Sequence, residues 1–102
     1  MKLVYKEKEI IATITINPRY MKYKFQKLYY AVIINKCNKY SSIASKQRID
    51  LVMTDDDYNI LSIKREMHEN TIYEDKRATK TILLPLNYYK EIEENTSFII
   101  KK

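Results

Sequence analysis

Residues 49–64 read IDLVMTDDDYNILSIK, and this stretch decides the fold class. Two runs rich in β-branched and large apolar side chains, Ile49–Thr54 and Tyr58–Lys64, flank Asp55-Asp56-Asp57. Each run has the length of a strand, while the aspartates tolerate turn geometry and supply a wet tip. The stretch predicts a β-hairpin.

Working outward, the same signals recur. Thr79–Leu84 (TKTILL) reads as a strand stopped by Pro85, and Ser97–Ile100 as a closing strand. Between them, Asn87 is placed to cap a short helix through Glu94. Met67–Lys80 is polar, a long connection with one short strand at Thr71–Tyr73. Toward the N-terminus, Tyr29–Asn35 is a compact apolar run of strand length, and Ser41–Ser45 is a weaker candidate. Glu9–Ile16 (EIIATITI) sets Ile10, Ala12, Ile14 and Ile16 on one side and Ile11, Thr13 and Thr15 on the other. Residues 2–6 are expected to pair with it across a short turn at Lys6–Lys8.

Residues 18–28 fit two patterns. Met21, Phe25 and Leu28 form a helical stripe, and Met21, Tyr23 and Phe25 also alternate with Lys22, Lys24 and Gln26 as in a strand. Asn17-Pro18, a cap followed by proline at the first helical position, favours the helix. The expectation is a mainly β, β-rich α+β chain. About seven strands form a small barrel-like or sandwich sheet, with one or two short helices.

The 102 residues suffice for a single domain spanning 1–102, with no linker or repeat. The single cysteine, Cys37, excludes an internal disulfide and implies no disulfide-linked partner. The N-terminal apolar run is broken by Thr13 and Thr15, and no run approaches the ~20 residues a membrane span needs. The expected setting is the reducing cytoplasm, away from membranes. Lysine, isoleucine, asparagine and tyrosine are heavily used, as AT-rich coding favours, and glycine is absent where about seven would be average. Backbone positions with φ > 0 then fall to Asn or Asp. Glycine-built phosphate loops of the Walker or dinucleotide type are excluded.

The resemblance of the C-terminal two-thirds follows from particular residues. Ile49, Asp50, Val52 and Asp55 make an Ile-Asp-hydrophobic strand leading into an Asp-rich turn, and Leu84-Pro85 precedes a closing strand at Phe98–Ile100. Over Cys37–Lys102 this resembles a bacterial and archaeal family known only as a domain of unknown function, number 192 in its series. The earlier part matches as a strand followed by a helix carrying an arginine, here Arg19. The chain departs from the pattern in lacking the family's glycines. It also has Ile43, Ala44, Ser45 and Lys46 where a His or Trp and a Met usually precede the Ile-Asp pair. The resemblance implies a compact β-barrel-like domain and carries no function with it.

Catalytic and metal constellations are thin. Asp55, Asp57, Asn59 and Glu66 sit at positions one, three, five and twelve of a calcium loop, but Ile60 stands where that loop needs glycine. A solvated hairpin tip explains them better. His68-Glu69 begins a zincin pattern with no second histidine in the chain. Cys37 and His68 are the only candidates for a nucleophile–base pair, and Glu93-Glu94 reads as a wet charged run. Neither a cofactor nor a metal is implied, and the chain does not read as an enzyme.

Charge is the better lead. The formal net charge is +6, yet residues 1–48 carry eleven Lys or Arg against only Glu7 and Glu9, while residues 49–102 carry eight against eleven acids. Arg19, Lys22, Lys24, Lys27, Lys36, Lys39, Lys46 and Arg48 lie in a stretch without a carboxylate, interleaved with tyrosines that include Tyr23 and Tyr40. Lysines can neutralise phosphates and tyrosines can stack on unpaired bases. Equally, lysines keep strand-rich proteins soluble and tyrosines fill cores that lack tryptophan. The reading is a small basic, non-enzymatic binding module for a protein partner or a second copy of itself. Nucleic-acid binding through residues 19–48 is the alternative. A phosphate-binding face requires those lysines to converge on one surface; otherwise they scatter or pair with acids of the second half.

Overall fold

A computed structural model describes residues 1–16, 27–42 and 48–102. In chain order the strands are β1 (Lys2–Tyr5), β2 (Lys8–Thr15), β3 (Ala31–Asn35), β4 (Lys39–Ser41), β5 (Ile49–Thr54), β6 (Ile60–Met67), β7 (Ile72–Glu74), β8 (Lys80–Pro85) and β9 (Ile99–Lys101). Seven of them form one sheet in the order β6-β5-β8-β3-β2-β1-β9, and β4 and β7 form a separate two-stranded ribbon. The sheet is mixed: β3 runs parallel to β2, and every other pairing is antiparallel. The predicted hairpin is present, and β1 meets β2 across a tight turn whose Lys6 has φ 55°.

The sheet buries both faces over its middle strands. On the concave side, Leu3, Tyr5, Ile10, Ile33, Val52, Ile60, Ile82, Leu84, Tyr89 and Phe98 form one core. Tyr89 packs edge-on to Tyr5 and Tyr88, with centroids 6.3 and 4.8 Å apart, and its hydroxyl donates to the carbonyl of Leu3 at 2.6 Å. On the convex side, Val32, Ile34, Leu51, Met53 and Leu83 pack with Leu28, Tyr40, Met67 and Ala78, and Tyr73 of the ribbon lies against them. Double-sided burial is why β3, β5 and β8 read as continuous apolar runs rather than alternating ones.

The two edges of the sheet approach each other at one end. Asn59 bridges Ser97, Ile60 N–H donates to Thr96 O at 2.7 Å, Asn95 N–H to Ile60 O at 2.9 Å, and Phe98 N–H to Tyr58 O at 3.0 Å. These bonds curl the sheet into a half-barrel and occupy the otherwise open edge at the start of β6.

Strand β6 carries two bulges. Ile49 pairs with Met67 and Leu51 with Lys64, so Arg65 and Glu66 together oppose Asp50. Glu66 adopts φ 48° there, and its N–H, left without a ladder partner, donates to Asp50 Oδ1 at 2.9 Å. At the second bulge, Met53 pairs with Ser62 and Thr54 with Ile60, and the Leu61 carbonyl accepts from Arg77 Nη2 at 3.1 Å.

Four expectations are corrected or left aside. The helix expected from Asn87 to Glu94 is absent; residues 86–91 form turns. Asn87 has φ 62°, outside the region a helix cap occupies, and its N–H donates to Asp50 Oδ2 at 2.9 Å. Arg65 claims the carbonyls of Tyr89 (2.8 Å), Lys90 (2.9 Å) and Ile92 (3.4 Å), so this segment folds around a guanidinium and not on itself. The helix expected at 18–28 falls outside the described residues except for Lys27 and Leu28, which are not helical, and most of the weak strand at 41–45 is outside them too. Positive φ is also not confined to Asn and Asp: it occurs at Asn70, Asn87 and Asn95 but also at Lys6, Lys36, Tyr58 and Glu66.

Candidate functional site

Arg19, Lys22, Tyr23, Lys24 and Lys46 lie outside the described residues. The remaining members of the basic-aromatic set do not share one surface. Lys27 precedes β3 and Lys36 follows it, so the five residues of that strand, about 16 Å, separate them. Lys39 stands directly opposite Glu74 in the ribbon, and Arg48 Nη1 pairs with Glu66 Oε1 at 2.9 Å. Both partners are acids of the second half of the chain. Tyr40 is buried in the convex core, where burial and then the neighbouring Cys37 push its phenol up to about 12. It is core, and no base could stack on it.

The thin catalytic constellations stay apart. The Asp55 carboxylate is spent within its own turn, accepting from Asp57 N at 2.9 Å, Asn59 N at 3.0 Å and Asn59 Nδ2 at 2.9 Å. Those bonds hold its carboxyl below the usual range, the Asn59 side chain contributing most. Ser42 Oγ donates to the His68 carbonyl at 2.5 Å, which places His68 beside the far end of β4 from Cys37. Cys37 stands before β4 and Ser42 after it, and the Cys37 thiol donates to the Lys39 carbonyl at 3.3 Å.

The feature that stands out is the convex face of β2-β1-β9. Ladder partners set two rows across it. One row is Ile11, Lys2 and Lys101; the next is Glu9, Val4 and Ile99. Ile11 is 67% and Ile99 64% exposed, with half-buried Val4 between them on the diagonal. Glu9 lies between two ammonium groups, 3.4 Å from Lys2 Nζ and 3.4 Å from Lys101 Nζ. Lys101, by hydrogen bond and charge, and then Lys2 hold its carboxyl below the usual range. Tyr30 precedes β3 one step before the Ala12–Ala31 pair, which sets it alongside Ile11. Tyr29 beside it is 75% exposed, with Lys27 Nζ 5.7 Å from its ring centre.

The contrast with the rest of the same face is sharp. Over β3, β8 and β5 the convex side is roofed by the β4–β7 ribbon and Leu28; over β2, β1 and β9 none of the described residues roofs Ile11 and Ile99, which stay exposed. The sequence pattern of Glu9–Ile16 already sets Ile11 apart from Ile10, Ala12, Ile14 and Ile16, but the ladder that brings it next to the row of Ile99 runs through β1 and β9 and is not contained in that segment. The signal was present in Ile11, an isoleucine on the side otherwise held by Thr13 and Thr15. Comparison with models of known protein families, with curated proteins and with solved structures finds no match for this chain.

Proposed function

We propose that the chain is a non-enzymatic binding module that docks a protein partner on the convex face of β2-β1-β9. One observation carries the reading: Ile11 and Ile99 stand more than half exposed on adjoining rows of a sheet face whose other half is roofed. A rigid apolar centre with a charged rim is the usual anatomy of a docking surface. The rim, Lys2 and Lys101 with Glu9 already held between them, is basic, and the whole chain carries +6. An isologous pair of copies would set these lysine rims against each other, whereas an acidic-rimmed partner would neutralise them. Aliphatic Ile11 and Ile99 at the centre favour a protein over nucleic acid, whose bases stack on aromatic rings.

The test immobilises the native chain and an Ile11→Asp/Ile99→Asp variant in parallel. A protein retained by the first and lost by the second is then purified and titrated into isotope-labelled native chain. Amide shifts confined to β2, β1 and β9, with binding that weakens as salt rises, are the expected result. Equal retention by both chains, or shifts elsewhere, overturns the proposal. A dimer in sedimentation that Ile11→Asp abolishes reassigns the face to a second copy. Salt-sensitive binding of a single-stranded oligonucleotide, lost with Lys27→Glu and Tyr29→Ala, moves the function to nucleic acid.

A further inference from the structure

A second, independent site lies at the end of β3 away from Tyr29. A cleft of about 560 Å³ is lined by Asn35, Lys36, Cys37, Asp56, Thr79 and Lys80, among others. Its volume falls within the range of small-molecule sites. The floor is braced on several sides. Cys37 N–H donates to Thr79 O at 3.0 Å, Thr81 Oγ1 to Cys37 O at 3.0 Å, and Thr79 N–H to Thr54 O at 2.9 Å. Lys36 sits at the corner leaving β3 with φ 53°, in the left-handed region.

The charges of the lining are arranged unequally. Lys80 Nζ donates to Asn35 Oδ1 at 2.7 Å and lies 5.1 Å from the Tyr58 ring centre, so neutral groups hold it in place and leave its charge uncompensated by them. An ammonium has three donors, and that hydrogen bond uses one. Asp56, the one acid among the described residues of the lining, accepts from Thr79 Oγ1 at 2.8 Å. Among the described residues, two ammonium groups against one carboxylate leave a cationic cleft with donors to spare. We infer that this cleft binds a small phosphate-bearing molecule, with Lys36 and Lys80 as its cationic contacts. Lysine engages phosphate as a point charge and needs no glycine loop.

Cys37, the only cysteine of the chain, is a built-in reporter on the wall of the cleft. Alkylation of the native chain by iodoacetamide, an uncharged reagent, would be timed with inorganic phosphate or with sodium chloride of equal ionic strength. For a dissociation constant of about 1 mM, ~10 mM phosphate fills roughly nine sites in ten and slows alkylation about tenfold. Lys36→Glu and Lys80→Gln each abolish the protection, and Asp56→Asn strengthens it. Lys36 is exposed, and a circular dichroism spectrum and melting temperature matching the native chain's show that the Lys36→Glu comparison is made on folded protein. Phosphate that slows the reaction no more than chloride does, or that protects both lysine variants equally, overturns the assignment.

Discussion

Arg65 Nη1 lies 3.4 Å from Asp50 Oδ2, across the bulge where two residues of β6 oppose one of β5. Asp50 is fully buried and accepts from three directions: the Glu66 N–H of the bulge, the Asn87 N–H of the following turn, and the guanidinium. Arg65 in turn gathers carbonyls of residues 89–92, the segment that carries Tyr89 into the core. Asp50→Ala therefore leaves two N–H groups and a guanidinium without their acceptor, and is expected to cost about 3 kcal/mol. Denaturant unfolding measures it. Asp50→Asn should cost nearly as much, because an amide replaces one of the two acceptor oxygens by an NH2 donor facing an N–H or the guanidinium. A loss below 1 kcal/mol in both variants would mean that the bulge does not depend on this carboxylate.

The hairpin, the double-sided strands and the closing strand were legible because their signals are local: β-branched runs bounded by aspartates or proline, as at Ile49–Lys64 and Thr79–Pro85. The segment 87–94 was not. Its composition suits a helix, but its carbonyls are claimed by Arg65, more than twenty residues away in sequence, and Asn87 takes a left-handed turn to reach Asp50. A tertiary partner overrode the local preference. Tyr40 was misplaced for the complementary reason. Its neighbours in sequence are lysines, and only the pairing of Tyr40 with Tyr73 shows that it faces the core. The exposed patch of Ile11 and Ile99 needed the register of three strands, which no single segment contains.

Tyr89 offers a narrower test of the concave core. Its hydroxyl donates to Leu3 O and lies 3.1 Å from Lys8 O, tying the 86–92 turns to the β1–β2 hairpin. Burial, with smaller contributions from Tyr88 and nearby acids, pushes its phenol well above the usual range, so it stays a donor throughout ordinary conditions. Tyr89→Phe keeps the aromatic packing and removes the donor, for an expected loss of about 1–2 kcal/mol. Tyr89→Ala also opens a cavity and should cost about 3–5 kcal/mol. The difference between the two, read from denaturation midpoints at constant slope, separates packing from hydrogen bonding.

Asp75 makes a pH-dependent contribution. Arg77 donates to both of its oxygens, Nε to Oδ1 at 3.0 Å and Nη2 to Oδ2 at 2.8 Å, and chiefly this holds its carboxyl down from 3.8 to about 2. A depressed folded-state value favours the native chain once the carboxylate is ionised. The contribution is therefore complete above about pH 4 and is lost as pH falls toward 2. The native chain should lose stability over that window more steeply than Asp75→Asn, whose amide does not titrate. Parallel acid slopes for the two chains would show that the Asp75–Arg77 pair contributes nothing to folding.

The two halves of the convex face should respond in opposite ways to the same kind of change. Leu83 is fully buried beneath the ribbon, so Leu83→Ala empties a packed site and should cost about 2–5 kcal/mol. Ile11 and Ile99 face solvent on the same sheet, and their replacement by Asp should stay within about 0.5 kcal/mol of the native chain. Thermal unfolding of the three variants checks the contrast directly. It also bears on the proposed docking face, which requires these two isoleucines to be dispensable for folding. If Ile11→Asp or Ile99→Asp destabilised as much as Leu83→Ala, those isoleucines would be core residues and the bare half of the sheet would not be a docking face.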